Sequence, residues 1–491
     1  MKMPHALWIA SGVLLLNGCQ TEKPVQQPPN VLMICIDDLN NWLGCMNGHP
    51  NAKTPNIDRL ASQGVLFANA HCQAPLCGPS RASIMTGMRP ATTGIYGQIN
   101  DKDIRKDNPV IENVLFMPEY FRQNGYHTMG IGKIFHNHAP SGVFEESGGR
   151  VPGFGPNPPA RFAWQGKAEG YGGTATDWGA FPEVDSLMPD YQSAQWAVER
   201  LNRDYEKPFF LAVGFLRPHV PWYVPQKWFD MHPLEGIVMP PYLENDLDDL
   251  PAIALEMDDM PMMPTTQWAI ESGEWPKIVQ AYLACVTFVD HYVGEILNAL
   301  ENSKYAGNTI VVLWSDHGYR LGEKNTFAKH CLWEVATLAP MVYAGPGIEK
   351  GKVIHAPAEL LSVYPTLTEL CGLETIPNQE GVSLAPVLLG KSSHVQDYAL
   401  TTYGWGNHAV RTENARYIYY NDGSEEYYDH RTDANEWHNL SGNSDTQAEI
   451  ARMKGYLPAL NAPYALHSSY DFNPYFRNDK IKHSGLPGSQ E

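Results

Sequence analysis

Three short runs of the chain, at 31–36, 209–215 and 308–314, are almost continuously apolar instead of alternating with polar residues. Alternation leaves one face of a strand in water, whereas an unbroken run buries both faces, as in the central parallel strands of an α/β sheet. Each run ends in polar residues: Asp37-Asp38, Arg217-Pro218-His219 and Ser315-Asp316-His317-Gly318. Sites in open α/β sheets form beyond the carboxyl ends of the strands, so these three predict one polar edge. Within 277–302, Val279, Leu283, Val286, Val289, Val293, Ile296 and Leu300 recur at helical spacing, which predicts a long helix packed on the sheet. From about residue 396 the texture changes to short strands rich in Tyr and Thr. The runs 416–420 and 426–428, separated by Asn421-Asp422-Gly423, predict a hairpin. Two stretches, 137–178 and 239–274, have weak periodicity and read as long surface insertions near the polar edge.

At 491 residues the chain exceeds one hydrophobic core, so a large domain at 31–395 and a smaller one at 396–491 are expected. The apolar run at 6–16 is too short to span a bilayer and suits a signal peptide over 1–18. Leu16-Asn17-Gly18-Cys19 resembles a bacterial lipobox, with Cys19 lipidated at the start of the mature chain. A polar, Pro-rich tether follows at 19–30. This reading places an exported protein in the periplasm or at the cell surface, held to the membrane only through its lipid. The formal charge of −19 argues against nucleic acid as a partner. It also means that an anionic substrate needs a locally positive pocket. Besides Cys19 and Cys77, six scattered cysteines (Cys35, Cys45, Cys72, Cys285, Cys331 and Cys371) form no CxxC pair and leave disulfides and buried thiols both open.

The chemistry concentrates at residues 77–81, Cys-Gly-Pro-Ser-Arg. Pro79 fits the first turn of a helix, whose N-terminus attracts anions, and Arg81 follows one turn on. A cysteine alone behaves as a small core hydrophobe, and paired aspartates alone fit a cap or turn. Together, Asp37, Asp38, Asp316 and His317 on two strand ends make a carboxylate-rich cluster suited to a hard divalent cation such as calcium.

Cys-x-Pro-Ser-Arg is the signature of the type I, formylglycine-dependent sulfatases, and the chain resembles that family from about residue 30 to 440. It resembles the iduronate-2-sulfatase-like branch in Asp316-His317, where many members have Asn in place of the histidine. Thr54-Pro55-Asn56-Ile57-Asp58, Gly132-Lys133-Ile134-Phe135-His136, Arg217-Pro218-His219-Val220-Pro221 and Leu321-Gly322-Glu323 leading to Ala328-Lys329 agree.

The resemblance implies an alkaline-phosphatase-like α/β sandwich: a large central mixed, mostly parallel sheet flanked by helices, plus a smaller C-terminal antiparallel-sheet subdomain. It further implies that a formylglycine-generating maturation enzyme oxidises Cys77 to 3-oxoalanine. One Ca²⁺ would be held by Asp37, Asp38, residue 77, Asp316 and His317. Arg81 would hold the nucleophile, and Lys133 and Lys329 the sulfate oxygens. His219 would be the general acid and His136 the base. Trp222, Tyr319 and Arg320, beside these blocks, are candidate sugar contacts with Lys133, His219 and Lys329. The expected substrate is a sulfated oligosaccharide or polysaccharide fragment, from a glycosaminoglycan or an algal polymer such as ulvan. A uronate 2-O-sulfate is favoured, with exo action because the insertions after His136 and Pro221 could wall in the site. Two other readings share these residues: a phosphonate or phosphate monoester hydrolase of the same superfamily, and a lipoprotein that binds sulfated glycans without cleaving them.

Overall fold

The structure is a computed structural model that describes residues 1, 28–106, 108–166, 176–470 and 472–485. The signal peptide, Cys19 and most of the tether lie outside the described residues.

An eight-stranded mixed sheet forms the centre. Asn30–Asp37 lies between two parallel neighbours, Thr309–Ser315 and Phe209–Pro218. His127–Gly132 adds in parallel beyond Phe209–Pro218. Met341–Ala344 pairs antiparallel with both Thr309–Ser315 and Val65–Phe67. All three apolar runs read from the sequence are therefore strands near the middle of this sheet.

Successive residues of Asn30–Asp37 explain the absence of alternation. Leu32, Ile34 and Ile36 pack with the helices Pro189–Leu201 and Trp275–Glu301, while Val31, Met33 and Cys35 pack with Cys77–Thr86 and Val363–Leu370 on the opposite face. Both faces are covered, so every position is apolar. At about 25 cal/mol per Å² of apolar area removed from water, this double burial is the main force holding the strand ends in place. Register shifts between Ile36 and Asp37, which brings Asp37 beside Pro218. That bulge ends the strand at Asp37, and Asp38 follows beyond it.

Toward the C-terminus, Ala399–Thr402, His408–Arg411, Ala415–Tyr419 and Glu425–Asp429 form an antiparallel meander. Tyr417, Tyr427 and Val410 on one face cover Ile450 and Met453 of the helix Gln447–Lys454. Ile418, Tyr420 and Tyr428 on the other face pack against Leu332, Trp333 and Ala336.

Both insertions are more structured than their sequences suggest. In the first, Glu146–Gly149 extends the main sheet beside His127–Gly132. In the second, Ala252–Met257 and Thr266–Glu271 are helices, the latter capped by Thr265 Oγ1, which accepts from Trp268 N at 3.1 Å. These helices are too short for periodicity to reveal. The seven described cysteines are all unpaired. No helix among the described residues is long and apolar enough to cross a membrane.

Candidate active site

Cys77 opens the helix Cys77–Thr86, whose ten residues are all buried. Gly78 N donates to Gln98 Oε1 at 2.9 Å, and Ser80 Oγ donates to the carbonyl of Asp316 at 2.6 Å. Arg81 ties the helix to three strand ends. Its Nε donates to Asp316 Oδ2 at 2.7 Å, its Nη2 lies 3.5 Å from Asp37 Oδ1, and its Nη1 donates to the carbonyls of Lys133 and Ile134. Arg81 thus braces the carboxylates and the Lys133 turn from one turn into the helix that carries residue 77.

The aspartate turn is set by the backbone. Asp38 has φ 60°, the left-handed region, and its N–H donates to Asp316 Oδ1 at 3.2 Å. Tyr282 clamps the same turn: its hydroxyl donates to Asp38 O at 2.8 Å and accepts from Asn40 N at 2.9 Å. His317 Nδ1 lies 2.9 Å from the carbonyl of Gly318. A carbonyl only accepts, so Nδ1 carries the hydrogen and Nε2 offers its lone pair. Nε2 faces Cys77 Sγ at 3.2 Å and Asp38 Oδ1 and Asp316 Oδ1 at 3.5 Å each.

Asp37, Asp38, Cys77 and His317 bring one potential ligand atom each within 4.8 Å of one another. Asp38 Oδ2 is buried and has no hydrogen-bond partner. An orphaned carboxylate oxygen beside a second carboxylate and an imidazole lone pair fits a divalent cation. A second group, Glu334, His430 and Glu436, is clasped by Arg411 and Arg416 and forms an ion-pair network instead.

Two lysines face this cluster. Lys133 Nζ pairs with Asp37, and Lys329 Nζ lies 2.7 Å from Asp38 Oδ1 and 3.3 Å from Cys77 Sγ. Lys133 leaves its strand through Gly132 at φ 78°, where a Cβ would strike Gly214 O at 2.0 Å. Burial opposes the charge on Asp37, but Lys133, His219 and Arg81 hold its carboxyl well below the usual range. Burial, reinforced by Asp37 and Asp316, pushes Asp38 up to about 7. Burial also pushes the Cys77 thiol far above its ordinary value.

His219 Nδ1 lies 2.7 Å from Val220 O, which leaves Nε2 facing Asp38 Oδ2 at 3.8 Å. Its ring stacks on Phe154 with centroids 4.1 Å apart. His136 Nδ1 is buried without a partner. Burial, with Lys329 acting on His219 and Lys133 on His136, lowers both histidines well below their usual range, so both rest neutral.

Three expected sugar contacts lie elsewhere. Trp222 is fully buried, with Nε1 donating to Pro218 O at 2.7 Å and its ring edge-on to Tyr282 and Tyr319. Tyr319, 1% exposed, donates its hydroxyl to Phe327 O at 2.7 Å. Arg320 donates to Ala328 O at 3.0 Å and pairs with Asp258. The cause is simple: residues next to a strand end in sequence turn back into the core, where Tyr319 and Arg320 support the loop before Lys329 and Trp222 packs on Tyr319. Arg217 is likewise a brace, with Nη1 on His219 O at 3.2 Å and Nη2 on Phe154 O at 2.8 Å. The sequence did not point to Tyr282, Phe154 or Arg150, whose guanidinium carbon lies 5.3 Å from the Phe154 ring centroid.

A family model described as Sulfatase matches residues 29–373. A sulfatase of Formosa agariphila is 56% identical over 98% of this chain and 97% of its own length. Iduronate 2-sulfatase of Homo sapiens is 32% identical, covering 76% of this chain and 74% of its own. A solved 2-O GAG sulfatase superposes with a TM-score of 0.68 at 24% identity, over 88% of this chain and 91% of that one. Because the matched region contains every strand end that converges on Cys77, the chain belongs to the sulfatase family and is a sulfuric ester hydrolase.

Proposed function

We propose that this sulfatase removes sulfate from terminal residues of sulfated polysaccharide fragments, with a uronate 2-O-sulfate as the preferred ester and residue 77 acting as formylglycine. The proposal rests on the position of Cys77 at a helix N-terminus, 3.3 Å from Lys329 Nζ and 3.2 Å from His317 Nε2. A nucleophile there meets a sulfate held by cations and backbone N–H groups. The 32% identity to iduronate 2-sulfatase supports the sugar class.

The hydrated aldehyde supplies the oxygen nucleophile, and a divalent cation, calcium on these oxygen-rich donors, supplies charge stabilisation at sulfur. Asp37, Asp38, Asp316 and His317 would hold that cation. Lys133 and Lys329 bind the sulfate oxygens and balance the carboxylates between turnovers. His219, neutral at rest with Nδ1 committed to Val220 O, takes on Nε2 the proton that the attacking hydroxyl gives up and delivers it to the leaving sugar oxygen. His136, neutral at rest, accepts the proton that must leave before sulfate departs. Phe154, contributed by the first insertion, closes one side of the site, which supports exo action. Export, with a lipid anchor at Cys19 and a place in the periplasm or at the cell surface, rests on the sequence reading.

The test is sulfate release from a 2-O-sulfated uronate disaccharide and from the intact polymer that contains it. The proposal expects release from the disaccharide and none from polymer lacking prior lyase or hydrolase treatment. Equal rates on both would overturn exo action, and release only from other sulfate positions would overturn the 2-O assignment.

A further inference from the structure

Arg150 follows Glu146–Gly149, the strand of the first insertion that pairs in parallel with His127–Gly132, the strand leading to Lys133. The Phe154 ring it approaches lies 5.0 Å from Lys133 Nζ and stacks on His219. One ring, Phe154, therefore neighbours Arg150, Lys133 and His219 together. Arg150 is close enough to Asp37, Arg81 and Asp101 to feel their charges, and its own charge acts on His136. Its side chain is partly buried and borders the same ring as Lys133.

Its hydrogen bonding is incomplete. Nε is buried and has no partner, and Nη2 makes a single long contact of 3.4 Å to Gly153 O. Among the described residues no carboxylate pairs with it. Arg105 also leaves its Nε without a partner, but its guanidinium is paired with Glu119, as Arg89 is with Glu359 and Arg320 with Asp258. Arg217 has no carboxylate but gives its nitrogens to three carbonyls. A guanidinium half withdrawn from water and left unsatisfied is costly unless a ligand completes it. Its planar fork matches a carboxylate in two parallel hydrogen bonds.

We propose that Arg150 forms a carboxylate-binding subsite of the active site, taking the carboxylate of a uronic acid whose sulfate lies at Lys133 and Lys329. This rests on the uronate reading above and adds the residue that recognises the acid. The subsite explains how a protein of charge −19 holds a substrate bearing two negative groups: each group has its own cation, and both cations border the Phe154 ring.

The test compares a 2-O-sulfated uronate glycoside with its methyl ester, which keeps the sulfate and removes the carboxylate charge. Matured wild-type protein, Arg150→Ala and Arg150→Lys are assayed on both, after thermal melts show that all three fold. Wild type should prefer the free acid. Arg150→Ala should lose about 10- to 100-fold in kcat/KM on the acid, mainly through KM, and far less on the ester, the range expected for a hydrogen bond to a charged group. Arg150→Lys, with charge but no fork, should fall between. An equal loss on acid and ester would overturn the subsite and leave Arg150 as a support for Phe154. A preference for the acid that survives in Arg150→Ala would overturn it too. Wild-type protein that hydrolyses an aryl sulfate but neither uronate substrate would overturn the uronate reading itself, a failure distinct from the other two.

Discussion

Lys329 Nζ lies 2.7 Å from Asp38 Oδ1, and both side chains are almost wholly shielded from water. Burial opposes the charge on Lys329, yet Asp38 and the neighbouring Cys77 and Asp37 hold its ammonium well above its usual range. Removing one member of a buried pair costs about 3–5 kcal/mol, because the other charge is left uncompensated. Lys329→Ala should therefore lose at least about tenfold in turnover, since it also removes the proposed sulfate ligand. It should melt at lower temperature than wild type in chelator, and calcium should restore part of that loss by compensating Asp38. Differential scanning calorimetry with and without calcium checks this; a melting point insensitive to the substitution would contradict the pairing.

Asp38 also gives a direct test of the cation. Its Oδ2 is the orphaned oxygen of the cluster. Wild-type protein should gain melting temperature as calcium is titrated in, by the mass-action stabilisation of any ligand that binds only the folded state. Asp38→Asn should bind far more weakly and flatten that curve, whatever the state of residue 77. An unchanged calcium response in Asp38→Asn would remove Asp38 from the ligand set.

Gly214 faces the turn that releases Lys133. A Cβ there would come within 2.2 Å of Lys133 C and 2.3 Å of Lys133 O. These are backbone atoms and cannot swing aside. Gly214→Ala should displace Lys133 from Asp37, with a stability loss of about 1–3 kcal/mol from overpacking. Turnover should fall by more than that stability loss explains at temperatures where the variant is fully folded. Wild-type kinetics in this variant would show that the position of Lys133 is not set by Gly214.

His408, far along the chain in the C-terminal sheet, sets an acid limit on stability. Burial lowers it to about 4, and its Nδ1 lies 3.0 Å from Thr402 Oγ1. The unfolded chain titrates this ring near 6.5. Below that pH the unfolded state takes up a proton that the folded state refuses until about 4, so the contribution is intact above about 6.5 and is lost as pH falls. From neutral pH to about pH 5, His408 should cost the fold about 2 kcal/mol. Burial lowers His71 as well, so its effect has the same sign. Urea unfolding at both pH values checks that sign, and His408→Gln should flatten the dependence; stability that rises on acidification would contradict it.

Much of the fold was legible because burial on both faces leaves a plain mark: residues 31–36, 209–215 and 308–314 are apolar for one physical reason and became adjacent strands. The polar residues that end those strands were legible because they recur at three strand ends together with the Cys77 motif, whereas paired aspartates alone would fit a cap or turn. Neighbourhood along the chain was a poor guide beyond that point. Trp222 and Tyr319 stand beside site residues in sequence yet turn into the core to stack near Tyr282. Arg150 and Phe154 had no period or motif to mark them, because an insertion pinned by a single edge strand leaves no repeating pattern. Tyr282 was hidden in another way: on a long helix it looked like one more core aromatic, and only its hydroxyl bond to Asp38 O reveals its role.

The chemistry proposed for this site depends on residue 77 working as an aldehyde. The decisive quantity is the mass of the peptide containing that residue, from protein made with a formylglycine-generating enzyme, measured beside sulfate release from the same preparation. A loss of about 18 Da relative to the thiol is expected, with turnover rising in proportion to the converted fraction. Fully converted protein that releases no sulfate, or unconverted thiol protein that hydrolyses sulfate esters equally well, would refute the aldehyde's role.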